Sequence, residues 1–423
     1  MKRTAKIGGF VCGLLLGLWL RPQAAAQGQA TAVSPTHLVM PGDTWTALAY
    51  RYGQDVQAVN PHPNRQRQPT IGREIALPAN STEQMGALVR SDEGGLLATA
   101  VRQNRSPWTI ALQNGLASPY RPLLYQPLFL PGGATPPQDL PAGFNRLELS
   151  QPVGEPGVAL GWRTEVAETA VISATLDDAP FVLVSNGRYR VGLIGVGAFY
   201  GSGEPDLNIQ VDDDQPLWSQ PWRFADRPDW VYQELTYTGT AAEITQADID
   251  AERARLQEIW AQVTPQPYWS APFALPIRDY LSITSTYGDR RSVNGGPYNR
   301  YHEGVDFSAY GGTTVFAPAA GQVVVAEVLR VRGGAVILDH GAGIHSGYYH
   351  LSDILVEPGQ MVAPGEAIGA VGTTGLSTGN HLHWDFLIGR TWIDAQSWLA
   401  QDMACWIRTG LGETCLPITA YMP

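Results

Sequence analysis

Six of the eight histidines of this 423-residue chain lie between His302 and His383. Four of the six sit in three short segments: His302-Glu303-Gly304-Val305-Asp306, Tyr348-Tyr349-His350-Leu351 and Gly379-Asn380-His381-Leu382-His383-Trp384. Imidazoles and carboxylates bind borderline metal ions, and imidazole moves protons near neutral pH. The stretch Leu382–Ile388 is rich in bulky apolar and aromatic residues and reads as a strand. Residues two apart in a strand share a face. His381 and His383 therefore open into one space, while Leu382, Trp384 and Phe386 turn toward a core. His302 and Asp306 are four apart, but Gly304, Val305 and a Gly/Pro-rich approach disfavour a helix. In an extended chain an even separation again shares a face, and the same parity turns Glu303 away. His302, Asp306 and one of the paired histidines supply nitrogen and oxygen donors of the kind zinc takes. Three protein donors leave a fourth position for water, the catalytic rather than the structural arrangement. His350 and the remaining member of the pair are then candidates for proton transfer and for stabilising a tetrahedral intermediate. His340 and His345 are expected to be structural or exposed.

These segments are embedded in a run of short strands and glycine turns. It includes APAAGQVV, ILDHG and VEPGQMVAPGEAIGAVG. With HxxxD (His302, Asp306), YxHL (Tyr348, His350, Leu351) and STGxHLH (Ser377 to His383), the segment from about Pro276 to Trp398 resembles the lysostaphin/LytM-type zinc endopeptidases of bacterial cell walls. The resemblance covers about 120 residues. It implies a mostly antiparallel sheet with an open groove and zinc at its floor. It also implies His302, Asp306 and His383 as metal ligands, with His350 and His381 as the catalytic pair. Asn380 stands where that family often has proline. Tyr298 and Tyr301 lie near the place where some members carry a further tyrosine. The implied activity is zinc-dependent hydrolysis of peptidoglycan peptide bonds, in a cross-bridge or a stem peptide. The alternative is a catalytically silent wall-binding protein that activates another hydrolase. The A-P-x-x-G-x-V hairpins also resemble biotin or lipoate carriers. Those need an acceptor lysine, and Lys2 and Lys6 are the only lysines here.

The rest of the chain reads as a mainly β, multidomain protein; a prior of about 150 residues per domain gives roughly three domains. Hydrophobic residues make up 44% and charged residues 16%, a folding composition. A formal net charge of −11 argues against a nucleic-acid partner. Residues 1–26 read as a secretory signal peptide. Lys2, Arg3 and Lys6 precede the apolar stretch Ile7–Leu20, and Ala24-Ala25-Ala26 form a small-residue cleavage site. The stretch is short of the about 20 residues of a membrane span. The expected location is therefore secreted, extracellular or cell-envelope, with no stable membrane span after cleavage. Cys12 leaves with the signal, and Cys405 and Cys415 remain as an even pair in an oxidising compartment, read as a disulfide in a C-terminal tail, 401–423.

Residues 36–79 form a β-α-α-β pattern. A short strand, a Pro41-Gly42-Asp43-Thr44 turn, a helix-period stripe (Trp45, Leu48, Ala49, Tyr52) and a closing Leu-Pro strand follow in order. The pattern resembles a LysM domain, which implies binding to an N-acetylglucosamine-containing glycan with Gly42, Asp43 and Thr44 in the loop that touches sugar. Residues 86–131 read as a worn copy in which Asp92-Glu93-Gly94 replaces that loop. Residues 132–145 are a Pro/Gly linker. Between 146 and 240, alternating segments separated by Gly, Pro and Asp clusters suggest a β-sandwich-like domain: 158–162, 170–174, 181–184, 189–196, 207–211 and 231–237. Thr245 caps a helix to 263, with Ile249, Leu256, Ile259, Trp260 and Val263 on its apolar stripe. The zinc endopeptidase domain is placed at 268–400.

Overall fold

The computed structural model describes residues 35–61, 67–91, 94–118, 123–132 and 134–417. The signal peptide, Asp92, Glu93 and the last six residues lie outside them. No described helix is long and apolar enough to cross a membrane.

The chain is mainly β. Two β-α-α-β units come first. In one, Thr36–Leu38 pairs antiparallel with Glu74–Ala76 around the helices Trp45–Tyr52 and Val56–Val59. In the other, Gly86–Arg90 pairs with Pro127–Pro131 around Gly95–Arg102 and Pro107–Gln113. Thr44 caps the first helix by accepting from the Ala47 amide, and Gly53 ends it at φ 59°. Residues 134–145, within the linker expected at 132–145, are fastened to the rest of the chain. Asp139 pairs with Arg90 at 2.8 Å, its carbonyl accepts from the Trp218 indole at 2.7 Å, and Phe144 is buried beside Trp162.

The middle region is two four-stranded antiparallel sheets around a shared core; the strands Ala159–Glu165 and Tyr189–Gly195 are buried on both faces, one toward that core and the other toward the C-terminal part. Trp162, Trp222, Leu160, Leu207 and Ile209 fill that core with no exposure. The segment expected at 231–237 does not join it. Tyr232–Leu235 instead runs parallel to Arg290–Val293 and extends the C-terminal part. Alternation identifies a strand, but its partner is decided by which sheet edge the preceding turn delivers it to.

The C-terminal part is a ten-stranded, antiparallel sheet. Its central order runs Ser282–Ser285, Gly304–Ser308, His381–Ile388, Ile344–Ile354, Gly333–Gly341 and Gly321–Leu329. One face packs Val305, Phe307, Leu382, Trp384 and Phe386 into a core shared with Ala159, Val191 and Leu193 of the middle region. Part of the other side is covered by the helix Gln246–Trp260, whose capping box joins Thr245 and Asp248. The buried stripe of this helix is Glu252, Leu256 and Trp260, while Val263 lies beyond its end and is exposed. Glu252 belongs to the stripe because it has buried partners. It accepts from the amides of Val331 (2.7 Å) and Arg332 (3.2 Å) and from the Arg332 guanidinium (3.0 Å). The expected tail is a second helix, Met403–Gly410, which buries Met403, Ala404 and Ile407 against Trp269 and Trp398. Cys405 and Cys415 are disulfide-bonded with Cα atoms 5.3 Å apart.

Candidate metal centre and its groove

Three strands place the donors. Asp306 lies directly across from His383, and Ser308 across from His381, in the antiparallel ladder of Gly304–Ser308 with His381–Ile388. The alternation that buries Leu382 and Trp384 therefore leaves His381, His383 and Asp306 on the opposite face. Gly304 permits this pairing: a Cβ there would meet the Trp384 carbonyl at 2.4 Å and His383 Nε2 at 2.8 Å. His302 enters from the turn before the strand. Its Nδ1 lies 3.0 Å from the Thr286 carbonyl, which can only accept, so Nδ1 carries the proton and Nε2 presents a lone pair.

The three donor atoms converge. His302 Nε2 lies 3.0 Å from Asp306 Oδ1, His383 Nδ1 lies 2.8 Å from the same oxygen, and the two nitrogens are 3.0 Å apart. Burial pushes the Asp306 carboxyl up, but His302 and His383 outweigh it and hold the group well below its ordinary value. Burial draws the His383 imidazole down to about 3. At neutral pH the Asp306 carboxylate is therefore ionised, and one ring nitrogen of each histidine points at its Oδ1. Two nitrogens and one oxygen converging on one point are ligand atoms that zinc accepts. Among the described residues this is the one group of His, Cys, Asp and Glu that could hold a metal ion.

His350 arrives by a different route. Tyr349 is the residue opposite His383, and its ring stacks on that imidazole at 5.6 Å. Strict alternation would then send His350 to the far face. Instead the strand carries a bulge against Gly333–Gly341, and His350 takes φ 63°, a region that costs a non-glycine residue about 1–2 kcal/mol. The bulge brings its ring to 4.7 Å from His381 and 6.1 Å from His383. Its Nδ1 sits 2.8 Å from the Thr374 carbonyl, which leaves Nε2 free to accept a proton. Burial, with His381 adding, draws its pKa down to about 4. His381 Nδ1 is held the same way by the Gly379 carbonyl at 2.8 Å, and its Nε2 lies 3.8 Å from Asp306 Oδ1.

A groove of about 390 Å³ opens over His302, His350 and His383. Four arginines line it: Arg253, Arg291, Arg300 and Arg332. Glu303 is not a donor to the cluster. Its carboxylate pairs with Arg253 and lies 3.7 Å from Arg332. Arg291 approaches the second oxygen of Asp306 at 3.5 Å. Arg300 bonds Gln246 and has no carboxylate within ion-pair distance among the described residues. Sequence reasoning missed these arginines, because residues far apart in the chain meet only when the helix and hairpins fold over the sheet. The carbonyls of Thr286, Thr374 and Gly379 are backbone groups and carry no sequence signal. Tyr298 pairs with Glu234 at the surface, and Tyr301 lines the groove beside Phe199. His340 and His345 are fully buried away from the cluster. His340 is held by the Ala320 carbonyl (2.8 Å) and the Ser346 hydroxyl (2.7 Å).

Gly42, Asp43 and Thr44 are not displayed to solvent. Asp43 is fully buried, bonded to His37 at 2.7 Å and to the Met40 amide at 2.8 Å. The Gly42 amide donates to Gln220 of the middle region at 2.9 Å. The loop expected to meet sugar is sealed by the chain itself.

Residues 300–395 match the model of peptidase family M23. The chain carries a C-terminal M23 peptidase domain. An uncharacterized metalloprotease of Haemophilus influenzae is 42% identical over 116 residues, which is 27% of this chain and 24% of that protein. The peptidoglycan DD-endopeptidase ShyA of Vibrio cholerae is 35% identical over 113 residues, 27% of this chain and 26% of its own length. The chain thus spans about a quarter of the length of these relatives. Among solved structures, the catalytic domain of the antimicrobial peptidase lysostaphin from Staphylococcus simulans is 31% identical. The match covers 31% of this chain and 90% of that one, at a TM-score of 0.23.

Proposed function

We propose that this protein is an exported zinc endopeptidase that hydrolyses peptide bonds of bacterial peptidoglycan and is held on wall glycan through its LysM-like region. The observation that carries the catalytic part is the convergence of His302, Asp306 and His383 beside two further imidazoles in one groove. His302 Nε2, His383 Nδ1 and Asp306 Oδ1 would hold the ion. When bound, a zinc ion polarises a carbonyl and lowers the pKa of water to about 7.

The chain's own groups do the rest. His350 and His381 each keep Nδ1–H on a carbonyl, so each offers Nε2 to the reacting atoms. One takes a proton from the attacking water, and the pair steadies the tetrahedral oxygen and returns the proton to the leaving amine. Tyr349, stacked on His383, and Arg332, over the Tyr349 ring at 5.0 Å, fix the ring planes. Arg291 and Arg300 give the groove cationic walls, which suits a carboxylate-bearing stem peptide better than a plain glycine bridge.

The test is hydrolysis of purified sacculi by the intact chain. New peptide amino and carboxyl termini should appear, vanish with a chelator and return with zinc. Release of glycan fragments without new peptide termini would overturn the proposal.

A further inference from the structure

Three of the four imidazoles at the site are oriented in the same way. His302, His350 and His381 each set Nδ1 against a backbone carbonyl, at 3.0, 2.8 and 2.8 Å, which fixes the ring plane and leaves Nε2 to the site. His383 differs. Its Nδ1 turns to Asp306 and His302, and its Nε2 has no hydrogen-bond partner among the described residues. A metal-binding histidine ordinarily donates its other ring N–H to an acceptor that fixes the ring. Here the ring is held from its face. Tyr349, directly across the ladder from His383, stacks on it with centroids 5.6 Å apart and planes at 26°. The Tyr349 hydroxyl donates to Asp385 Oδ1 at 3.3 Å, and Asp385 Oδ2 accepts from the Trp392 indole at 2.9 Å. Gly347, opposite Asp385, makes room for the first of these bonds, since a Cβ there would collide with the Tyr349 hydroxyl and with Asp385 Oδ1.

We propose that Asp385 is a positioning residue of the metal centre: through the Tyr349 hydroxyl it fixes the plane of the His383 ring, as the carbonyls do for the other three imidazoles. The inference rests on the metal-binding reading above. The lone pair of a ring nitrogen lies in the ring plane, so a ligand role for His383 Nδ1 requires that plane to be held. Stacking alone leaves the tyrosine free to rock with the imidazole. A hydroxyl tied to Asp385 removes that freedom, because Asp385 is anchored at its other oxygen by Trp392, whose ring packs edge-on against Trp260 at 5.0 Å. Asp385 is fully buried, where a carboxylate is costly and an apolar side chain would fill the space without that cost. Its place follows from the alternation that places the ligands. His381, His383 and Asp385 are two apart on one strand and share its face.

The test is the zinc affinity of the full chain, read by competition with a chelator of known affinity, with folding checked by circular dichroism. Tyr349→Phe keeps the stacked ring and removes only the hydroxyl. It should weaken zinc binding by about tenfold or more, the effect of losing a group that orients a ligand. Asp385→Leu should weaken it alike, and the double variant no further than the weaker single, because both act through one bond. Tyr348→Phe is the matched control. It removes a neighbouring buried hydroxyl, bonded to Ser346 at 2.7 Å on a residue opposite Trp384, and should leave zinc affinity at the wild-type value. Asp385→Leu leaves the Trp392 N–H without its acceptor, so Tyr349→Phe and Tyr348→Phe alone serve if it does not fold. A loss below about tenfold in Tyr349→Phe would overturn the proposal and leave the metal-binding reading standing. Equal losses in Tyr349→Phe and Tyr348→Phe would also overturn it, since they would show a general loosening of the sheet. Additive losses in the double variant would overturn the route through the hydroxyl. A wild type that takes up no zinc would overturn both readings.

Discussion

Glu252→Gln should unfold the C-terminal part of this protein at a markedly lower temperature, although the change is one atom in a helix far from the histidines in sequence. The Glu252 side chain is 5% exposed and the Arg332 side chain 11%. The carboxylate accepts three hydrogen bonds, two from backbone amides and one from the guanidinium. Hydrogen bonds to charged groups contribute about 1.5–3 kcal/mol each, and removing one partner of a buried pair costs about 3–5 kcal/mol. Glutamine keeps one acceptor but turns an amide donor toward donors. Arg332 retains Glu303 at 3.7 Å, so the lower end applies, about 3 kcal/mol. At about 2–4 °C per kcal/mol for a unit of this size, Tm should fall by about 6–12 °C. The assay is differential scanning calorimetry of the full chain. The relevant transition is identified as the one that moves when the metal is chelated, since a ligand that binds only the folded state raises its Tm. Glu258→Gln, on the exposed side of the same helix, is the control and should stay within about 0.5 kcal/mol. A Glu252→Gln loss below about 1 kcal/mol would refute the reasoning, because the buried pair would then carry no more than a surface one.

Other outcomes follow from the same geometry. His350→Ala and His381→Ala should each retain metal and lose about 10²–10⁴ in turnover of a soluble wall peptide, the range of a positioned general acid or base; a drop under tenfold in both would reassign them. Burial draws His340 down to about 4, so the unfolded chain binds the extra proton between about pH 6.5 and 4. Its contribution, about 3 kcal/mol, is complete above that window and is lost as pH falls through it. Urea melts of wild type and His340→Gln across the window should show the steeper slope only in the wild type. Arg300→Gln should reduce kcat/KM about tenfold for a peptide with a free carboxylate and leave its carboxamide twin unchanged, which paired assays on the two peptides would show. A uniform loss would mean that Arg300 supports the groove without reading charge.

The donors were legible because strand alternation is a local rule. Leu382, Trp384 and Phe386 announce the buried face, which leaves His381 and His383 together, and Asp306 obeys the same parity one strand away. His350 was legible as chemistry but not as geometry, since parity alone places it opposite Tyr349 and only the bulge returns it. Glu252 was missed because a charged residue on an apolar stripe reads as an interruption until its partners at Val331 and Arg332 are known. The strand at Tyr232–Leu235 was visible, whereas its parallel partner, Arg290–Val293, lies more than fifty residues on in the chain. The sealed Gly42–Thr44 loop was the least legible, since its cover is a glutamine in another sheet.

The most direct test of the account is the metal content of purified full-length chain, wild type and single variants, measured by mass spectrometry of the elements. The account predicts one zinc per chain in the wild type and in His350→Ala, and none retained in His302→Ala, Asp306→Ala or His383→Ala. Stoichiometric zinc in His383→Ala would contradict it.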